Sequence, residues 1–170
     1  MKYHTMQYSF RSAFLLLFVA LLSACSTLKS TPKAGGSSAV SSRRLEITDY
    51  AKKFVGVNYK YAGQSPTTGF DCSGFTSYVM RGFGVTISPS SSVQATEGKK
   101  IPLDHALPGD LIFFGENEKK IQHVGLVVKR DKDGITCVHS TTSRGVIVEN
   151  VSTSTYWKPK ILFARDVVNR

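Results

Sequence analysis

Apolar residues in the first half of this chain recur at the spacing of helices. A first short helix is predicted to stop at Gly56, and its apolar face comprises Ile47, Tyr50, Ala51, Phe54 and Val55. A second helix is predicted to begin at Asp71 or Cys72 and to end near Gly82 or Gly84. A third, shorter helix is predicted over residues 90–97, so helices dominate the first part of the domain.

After Pro108 the pattern changes to short runs of β-branched and aromatic residues separated by turn signals. Strands are predicted over residues 111–114, 123–129, 135–140, 145–151 and 161–168. Turns such as Asp133-Gly134 join neighbouring strands as antiparallel hairpins. The sequence therefore predicts an α+β fold in which N-terminal helices pack on a curled antiparallel β-sheet.

The first 25 residues have the pattern of an export signal. Lys2 and Arg11 precede an apolar run over residues 13–22, which is too short to cross a hydrocarbon core of about 30 Å. The ending Leu22-Ser23-Ala24-Cys25 resembles a bacterial lipobox, which implies cleavage before Cys25 and lipidation of its thiol. The alternative is ordinary secretory cleavage, with Cys25 an incidental thiol.

Three segments follow from this pattern. Residues 1–24 are predicted to be a lipoprotein signal peptide, residues 25–44 a lipidated cysteine with a flexible Ser- and Gly-containing tether, and residues 45–170 the folded domain. Because Ser26 and not Asp follows the cysteine, the resemblance favours the outer membrane of a Gram-negative cell. The expected location is the bacterial envelope, with a lipid anchor and the domain facing the periplasm.

Composition narrows the classes of function. The 170-residue chain has a formal charge of +10 and three cysteines without a C-x-x-C pair, which excludes a disulfide-built scaffold and a zinc finger. Residues 1–24 hold two basic and no acidic residues, so the exported part remains basic. Such a charge suits nucleic acid, an anionic membrane or an anionic polymer. A protein anchored in the envelope meets no genomic DNA, so nucleic acid is not expected as a partner.

Cys72 is the first candidate for chemistry. It lies at the predicted N-terminus of the second helix, where unpaired amides and the helix dipole are expected to lower the pKa of a thiol. The same amides can stabilise an oxyanion formed when the sulfur attacks a carbonyl. The alternative is a small buried cysteine behind a helix cap.

Two histidines supply a base for this thiol. If residues 130–134 connect their strands, His139 pairs with Gly125, and His123 is its diagonal neighbour on the same face. His123 fits the general base, because Gly125 leaves that face open, and His139 fits the group that orients it. The sequence predicts a nucleophile, a base and an orienting group.

Five motifs in order resemble those of the NlpC-type cell-wall cysteine peptidases, and they cover nearly all of residues 46–168. They are Tyr59-Lys60-Tyr61-Ala62-Gly63, residues 66–75 around Asp71-Cys72-Ser73-Gly74, Leu107-Pro108-Gly109-Asp110, His123-Val124-Gly125 and Val138-His139-Ser140-Thr141. The resemblance implies a papain-like fold with Cys72 as nucleophile, His123 as base, His139 as third polar member and Tyr59 beside the thiol. This chain has Ala62-Gly63 where family members more often have Gly-Gly. The additional methyl group is expected to affect substrate fit more than activity.

The expected function is a peptidoglycan endopeptidase that forms a thioester and needs no cofactor or metal. Two alternatives remain open: a non-catalytic wall-binding lipoprotein and an acyltransferase on the same fold. The sequence identifies no protein partner. Cys137 shares a strand face with His139. A disulfide with Cys72 and a zinc site are conceivable, but Cys137 is predicted to be a buried packing residue.

Overall fold

The computed structural model describes residues 35–169 of the chain, with side chains from residue 42 onward. The predicted signal peptide, the lipidation site at Cys25 and tether residues 25–34 lie outside the described residues. Within the described part, no helix is long and apolar enough to span a bilayer.

Within residues 35–169, three α-helices precede most of the sheet: α1 (Gly35–Lys52), α2 (Cys72–Arg81) and the short α3 (Ser91–Gln94). The second helix begins at the predicted residue, and the third covers only part of the predicted range. The first helix ends at Lys52 instead of Gly56, and the chain continues through turns that place Gly56 at φ +91°. Glycine accepts this left-handed conformation without steric cost.

The first helix also starts earlier than the sequence predicts. It includes residues 35–44, which were assigned to the tether, so the predicted domain boundary at residue 45 comes too late. Arg44 is 3% exposed and forms ion pairs of 2.7 Å with both Asp110 and Asp166. A buried cation with two carboxylates belongs to the folded body, because an unpaired buried charge is very costly.

Six antiparallel strands form the main sheet, in the order β3-β8-β4-β5-β6-β7. Their bounds are β3 Lys99–Ile101, β4 Leu111–Asn117, β5 Lys120–Asp131, β6 Gly134–Thr141, β7 Gly145–Asn150 and β8 Ile161–Asp166. A separate two-stranded hairpin joins β1 (Gln64–Ser65) to β2 (Gly69–Phe70). The predicted α+β fold with an antiparallel sheet is confirmed, and all five predicted strands are present. The sequence missed β1, β2 and β3.

Alternate residues of the strands face two hydrophobic clusters. Leu111 and Phe113 of β4 join the cluster that includes Phe75 and Val79 of α2, whereas Ile112 and Phe114 face the opposite side. Among the described residues, none of α1, α2 or α3 belongs to the second cluster, which is closed by residues after β7, including Val151 and Trp157. The sheet therefore separates α2 from the C-terminal segment, and the candidate site lies where the two sides meet at the ends of β5 and β6.

Candidate active site

Cys72 is the first residue of α2, and its neighbours in the chain fix the start of that helix. Asp71 is the N-cap, and its side chain accepts a 2.6 Å hydrogen bond from the Gly74 backbone N–H. The hydroxyl of Ser73 donates to the same carboxylate and, at 2.8 Å, to the carbonyl of Pro89. Capping satisfies one of the free amides at the helix start. The Cys72 side chain is thereby held at a defined point.

The loop carrying Tyr59 packs directly on this helix start. A Cβ atom added to Gly74 would lie 2.1 Å from the carbonyl oxygen of Gly63, so only glycine permits the contact. The backbone N–H of Asp71 donates to that same oxygen at 3.0 Å. Tyr59, which forms an isolated bridge with Phe70, lines the same cleft as Cys72. The structure thus brings Tyr59 and Cys72 together, as the family resemblance implies.

The two histidines are neighbours across β5 and β6. Nε2 of His123 and Nδ1 of His139 are 2.8 Å apart, and the two rings meet edge to face. Their strands pair in the predicted register, with Leu126 opposite Val138. Two differences from the prediction cancel to give this register. The turn is tighter than predicted, and an irregularity between Val127 and Lys129 accommodates one extra residue in β5. The predicted pairing of the imidazoles is confirmed.

A fourth polar residue, Glu149 on β7, completes the line of side chains. Its Oε1 lies 2.9 Å from Nε2 of His139. Glu149 is not among the site residues that the sequence predicts. A signal existed, since His139 pairs with Ile147 across the next hairpin and Glu149 is therefore its diagonal neighbour. The rule that found the histidine pair also finds this carboxylate.

Trp157 covers the ring of His123. The indole is stacked on the imidazole at 4.5 Å between centroids with an angle of 24°, and it is 8% exposed. Its Nε1–H donates to Oε1 of Glu149 at 2.9 Å. Phe114 packs against both rings. One face of His123 is consequently shielded from water, while its Nδ1 is not used by His139.

Burial shifts the pKa of each group in the site. Burial raises the pKa of Cys72, and hydrogen bonds from backbone N–H groups, that of Val124 first, only partly oppose it. The predicted lowering of this pKa is therefore wrong for the free protein, because burial outweighs the helix N-terminus. Burial and the charge of His139 hold the pKa of His123 well below its usual value. Cys72 is only half-buried at the cleft, and both directions favour the neutral thiol and the neutral imidazole.

The thiol and the imidazole of His123 border a cleft of about 420 Å³. Tyr59, Cys72 and His123 line it, whereas His139 is fully buried behind His123. The charged side chains among the described lining residues are Arg144 and Lys160. The Lys160 ammonium lies 3.1 Å from the centre of the Tyr156 ring. The cleft thus combines a thiol, an imidazole and a cationic rim.

Cys137 lies on the other side of the sheet from α2. Its side chain is fully buried in the second cluster, near Ile112 and Val127, so the prediction that it packs in the core is confirmed. Both Cys72 and Cys137 are free thiols. Among the described residues, no group of three or more His, Cys, Asp or Glu side chains is arranged to hold a metal ion.

Comparison with known proteins agrees with this arrangement. The model of the NlpC/P60 family matches residues 56–166. The probable endopeptidase NlpC of Escherichia coli is 30% identical over 92% of this chain and 99% of its own length. The gamma-DL-glutamyl hydrolase of Bacillus subtilis is 34% identical over 91% of this chain, which spans only 36% of that relative. The solved structure of the peptidoglycan hydrolase RipB from Mycobacterium tuberculosis, 26% identical, superposes with a TM-score of 0.63 over 78% of this chain and 68% of RipB. The chain belongs to the NlpC/P60 family.

Proposed function

We propose that this protein is a cysteine endopeptidase that hydrolyses amide bonds in peptidoglycan stem peptides or cross-links. One observation carries the proposal: Cys72 and His123 line one cleft, and His123 is hydrogen-bonded at 2.8 Å to the buried His139. A nucleophile, a base and a group that orients the base are the components of covalent acyl transfer. The names of the relatives, an endopeptidase and a peptidoglycan hydrolase, support the same activity.

The protonation states of Cys72 and His123 determine how the reaction starts. Burial raises the pKa of Cys72 and lowers that of His123, and both directions favour a neutral thiol and a neutral imidazole before substrate binds. His123 therefore takes the thiol proton as the sulfur attacks the carbonyl carbon, which is general base catalysis. The new C–S bond gives a tetrahedral oxyanion. The role of the base falls to Nδ1 of His123, because Nε2 is engaged by His139.

Three proton transfers through His123 then complete the cycle. The oxyanion collapses, the C–N bond breaks, and the imidazolium of His123 returns its proton to the leaving amine. His123 then takes a proton from a water molecule whose oxygen attacks the thioester carbonyl. As the C–S bond breaks, the imidazolium passes that proton to the departing sulfur, which restores the thiol and releases the carboxylic acid. The hydroxyl of Tyr59 and the first backbone amides of α2 are the donors available to the oxyanion.

The charge of the cleft supports an anionic substrate. Arg144 and Lys160 border it. Close charges of one sign in a partly enclosed cleft attract groups of the opposite sign. The basic composition of the exported chain suits an anionic wall polymer in the same way. Lys160 is therefore assigned to binding a carboxylate of the stem peptide, whereas Arg144 is paired with Glu149 at 2.8 Å.

Digestion of isolated peptidoglycan tests the activity. Purified sacculi are incubated with the full chain in mild detergent, and mass spectrometry identifies the released muropeptides. We expect fragments that each gain one water for every bond cut. Fragments that carry an added amine instead of water would indicate acyl transfer.

A matched pair of variants completes this test. Cys72→Ala should release nothing, whereas Cys137→Ala, the same change at a buried thiol on the other sheet face, should release the wild-type products. If Cys72→Ala digests sacculi as wild type does, the proposed chemistry is wrong. Binding without digestion by the wild type would indicate the wall-binding alternative.

We also propose that the protein is anchored by lipid at Cys25, with its domain in the periplasm at the outer membrane. The Leu-Ser-Ala-Cys ending and the following Ser26 support this location. Detergent phase partitioning tests it, since wild type should enter the detergent phase and Cys25→Ser the aqueous phase. Equal partitioning would contradict the lipid anchor.

A further inference from the structure

One carboxylate oxygen collects three hydrogen bonds behind the cleft. Oε1 of Glu149 lies 2.9 Å from Nε2 of His139, 2.8 Å from a terminal nitrogen of Arg144 and 2.9 Å from Nε1 of Trp157. All three partners contribute N–H groups, and hydrogen bonds to a charged acceptor are about twice as strong as neutral ones. The carboxylate is therefore held in place from three sides.

This contact decides which nitrogen of His139 carries the proton. A carboxylate only accepts, so the neutral ring of His139 must be protonated at Nε2. Its Nδ1 is then an acceptor, and the 2.8 Å contact requires His123 to donate from its own Nε2. His123 in turn is left with an unprotonated Nδ1. A neutral imidazole has only one N–H, so each step follows from the one before.

We propose that Glu149 is a positioning residue that selects the tautomers of both histidines and so leaves Nδ1 of His123 free to accept the thiol proton. The proposal rests on the proposed peptidase function and extends its relay by one residue, in the order Cys72, His123, His139, Glu149. Glu149 does not itself line the cleft, and it acts on the base through His139.

The charges around Glu149 determine how strongly it supports the base. Arg144 offsets part of its charge, and the neutral thiol of Cys137 lies opposite it on β6. Burial lowers the pKa of His139, while the hydrogen bond and charge of Glu149 raise it. When His123 becomes an imidazolium, the carboxylate stabilises the positive charge shared with His139. Removing the carboxylate should thus weaken the base without changing substrate contacts.

Two substitutions separate the acceptor from its charge. Glu149→Met keeps the length of the side chain but accepts no hydrogen bond, whereas Glu149→Gln keeps an acceptor and loses the charge. We expect kcat to fall about 100-fold in Glu149→Met and about tenfold in Glu149→Gln, with KM within about threefold of wild type. Glu118→Gln, the same change at an exposed glutamate that pairs with Lys100, is the matched control and should behave as wild type.

The pH profile adds a readout that a merely structural role does not move. Since Glu149 raises the pKa of His139, its loss should shift the acid limb of kcat/KM to lower pH in Glu149→Gln. A lower kcat with an unshifted acid limb would contradict the proposal. Melting curves identify any variant that fails to fold.

Nitrogen-15 NMR of labelled histidine tests the tautomers without any substrate. In wild type, His123 and His139 should both be protonated at Nε2, and in Glu149→Met their signals should show Nδ1–H forms. Wild-type rings protonated at Nδ1, or tautomers unchanged in Glu149→Met, would overturn the proposal even if sacculi are digested. The expected tautomers in a protein that digests nothing would contradict the peptidase function alone.

Discussion

Cys72 is positioned by residues next to it in the chain, whereas His123 is positioned by residues on two other strands and a C-terminal segment. The Asp71 cap and Gly74 lie within two residues of the thiol. The imidazole depends on His139, 16 positions away in the chain, and through it on Glu149. The cap that fixes Cys72, here called the nucleophile side of the site, thus forms from neighbouring residues. The line of His123, His139 and Glu149, here called the histidine side, forms only when the sheet has formed.

Removing either side should abolish activity, which is the largest expected effect. Cys72→Ala and His123→Ala should each lower kcat/KM by at least about a thousandfold, because nucleophile and base act in the same step. His139→Asn, which retains a polar side chain, should lose much less. Sacculus digestion with purified variants measures all three. If His139→Asn lost as much as His123→Ala, His139 would be more than an orienting residue.

Acid should destabilise the histidine side. The pKa values of His123 and His139 are lower in the folded protein than in an unfolded chain, so the unfolded chain binds more protons below pH about 6.5. The contribution of the two neutral histidines to the free energy of unfolding is fully present above that pH. It is lost as the pH drops, by up to about 1.4 kcal/mol per pH unit for each histidine. Denaturant unfolding at several pH values measures the slope. His123→Gln should flatten it, and an unchanged slope would contradict this assignment.

Breaking the helix cap should affect the nucleophile side modestly. Asp71→Ala leaves the Gly74 N–H without its 2.6 Å partner and should cost about 1 kcal/mol of unfolding free energy. Asp71→Ser, which can still cap, should retain most of that stability. Thermal melting compares them, and equal losses in the two variants would show that capping does not hold the start of α2.

The same diagonal-neighbour rule accounts for a success and an omission. Applied to the β5–β6 hairpin, the rule predicts His139 beside His123. Applied to the β6–β7 hairpin, where Thr141 pairs with Gly145 across a short turn, it also leads to Glu149, which the sequence prediction leaves out. Local chemistry and hairpin geometry were therefore enough to predict most of the site.

Two errors have a common physical cause. A Ser- and Gly-containing composition without a periodic apolar pattern predicts a tether over residues 25–44, yet Arg44 is held by Asp110 and Asp166 from far along the chain. The helix position of Cys72 is local and predicts a lowered pKa, whereas desolvation of the half-buried thiol depends on the whole fold and raises the pKa. Long-range packing decided both outcomes, and no local pattern records it.

Changing Cys137 should show that its side of the sheet is structural. Cys137→Ala removes a buried sulfur and should cost about 1 kcal/mol of stability, with kcat within a few-fold of wild type. Thiol titration before and after reductant, alongside the rate, checks the free state of both cysteines. A gain of two thiols with a rise in activity would indicate a regulatory disulfide instead.

The smallest expected effect concerns the loop that packs on the nucleophile. Ala62 has a φ of +55°, a conformation that glycine adopts more easily. Ala62→Gly, which restores the glycine pair common in the family, should raise stability by at most about 1 kcal/mol, because glycine also loses more backbone entropy on folding. Chemical denaturation measures the difference, and a clear loss of stability would show that the alanine methyl group contributes to packing.

Trp157, the only tryptophan in the chain, is stacked on the imidazole of the base. Selective excitation of indole therefore reports on this one place in the protein. A protonated imidazole quenches a stacked indole more than a neutral one, so emission intensity should follow the proton of His123. Rapid mixing with substrate can then time the proton transfers by fluorescence, with no added dye or label.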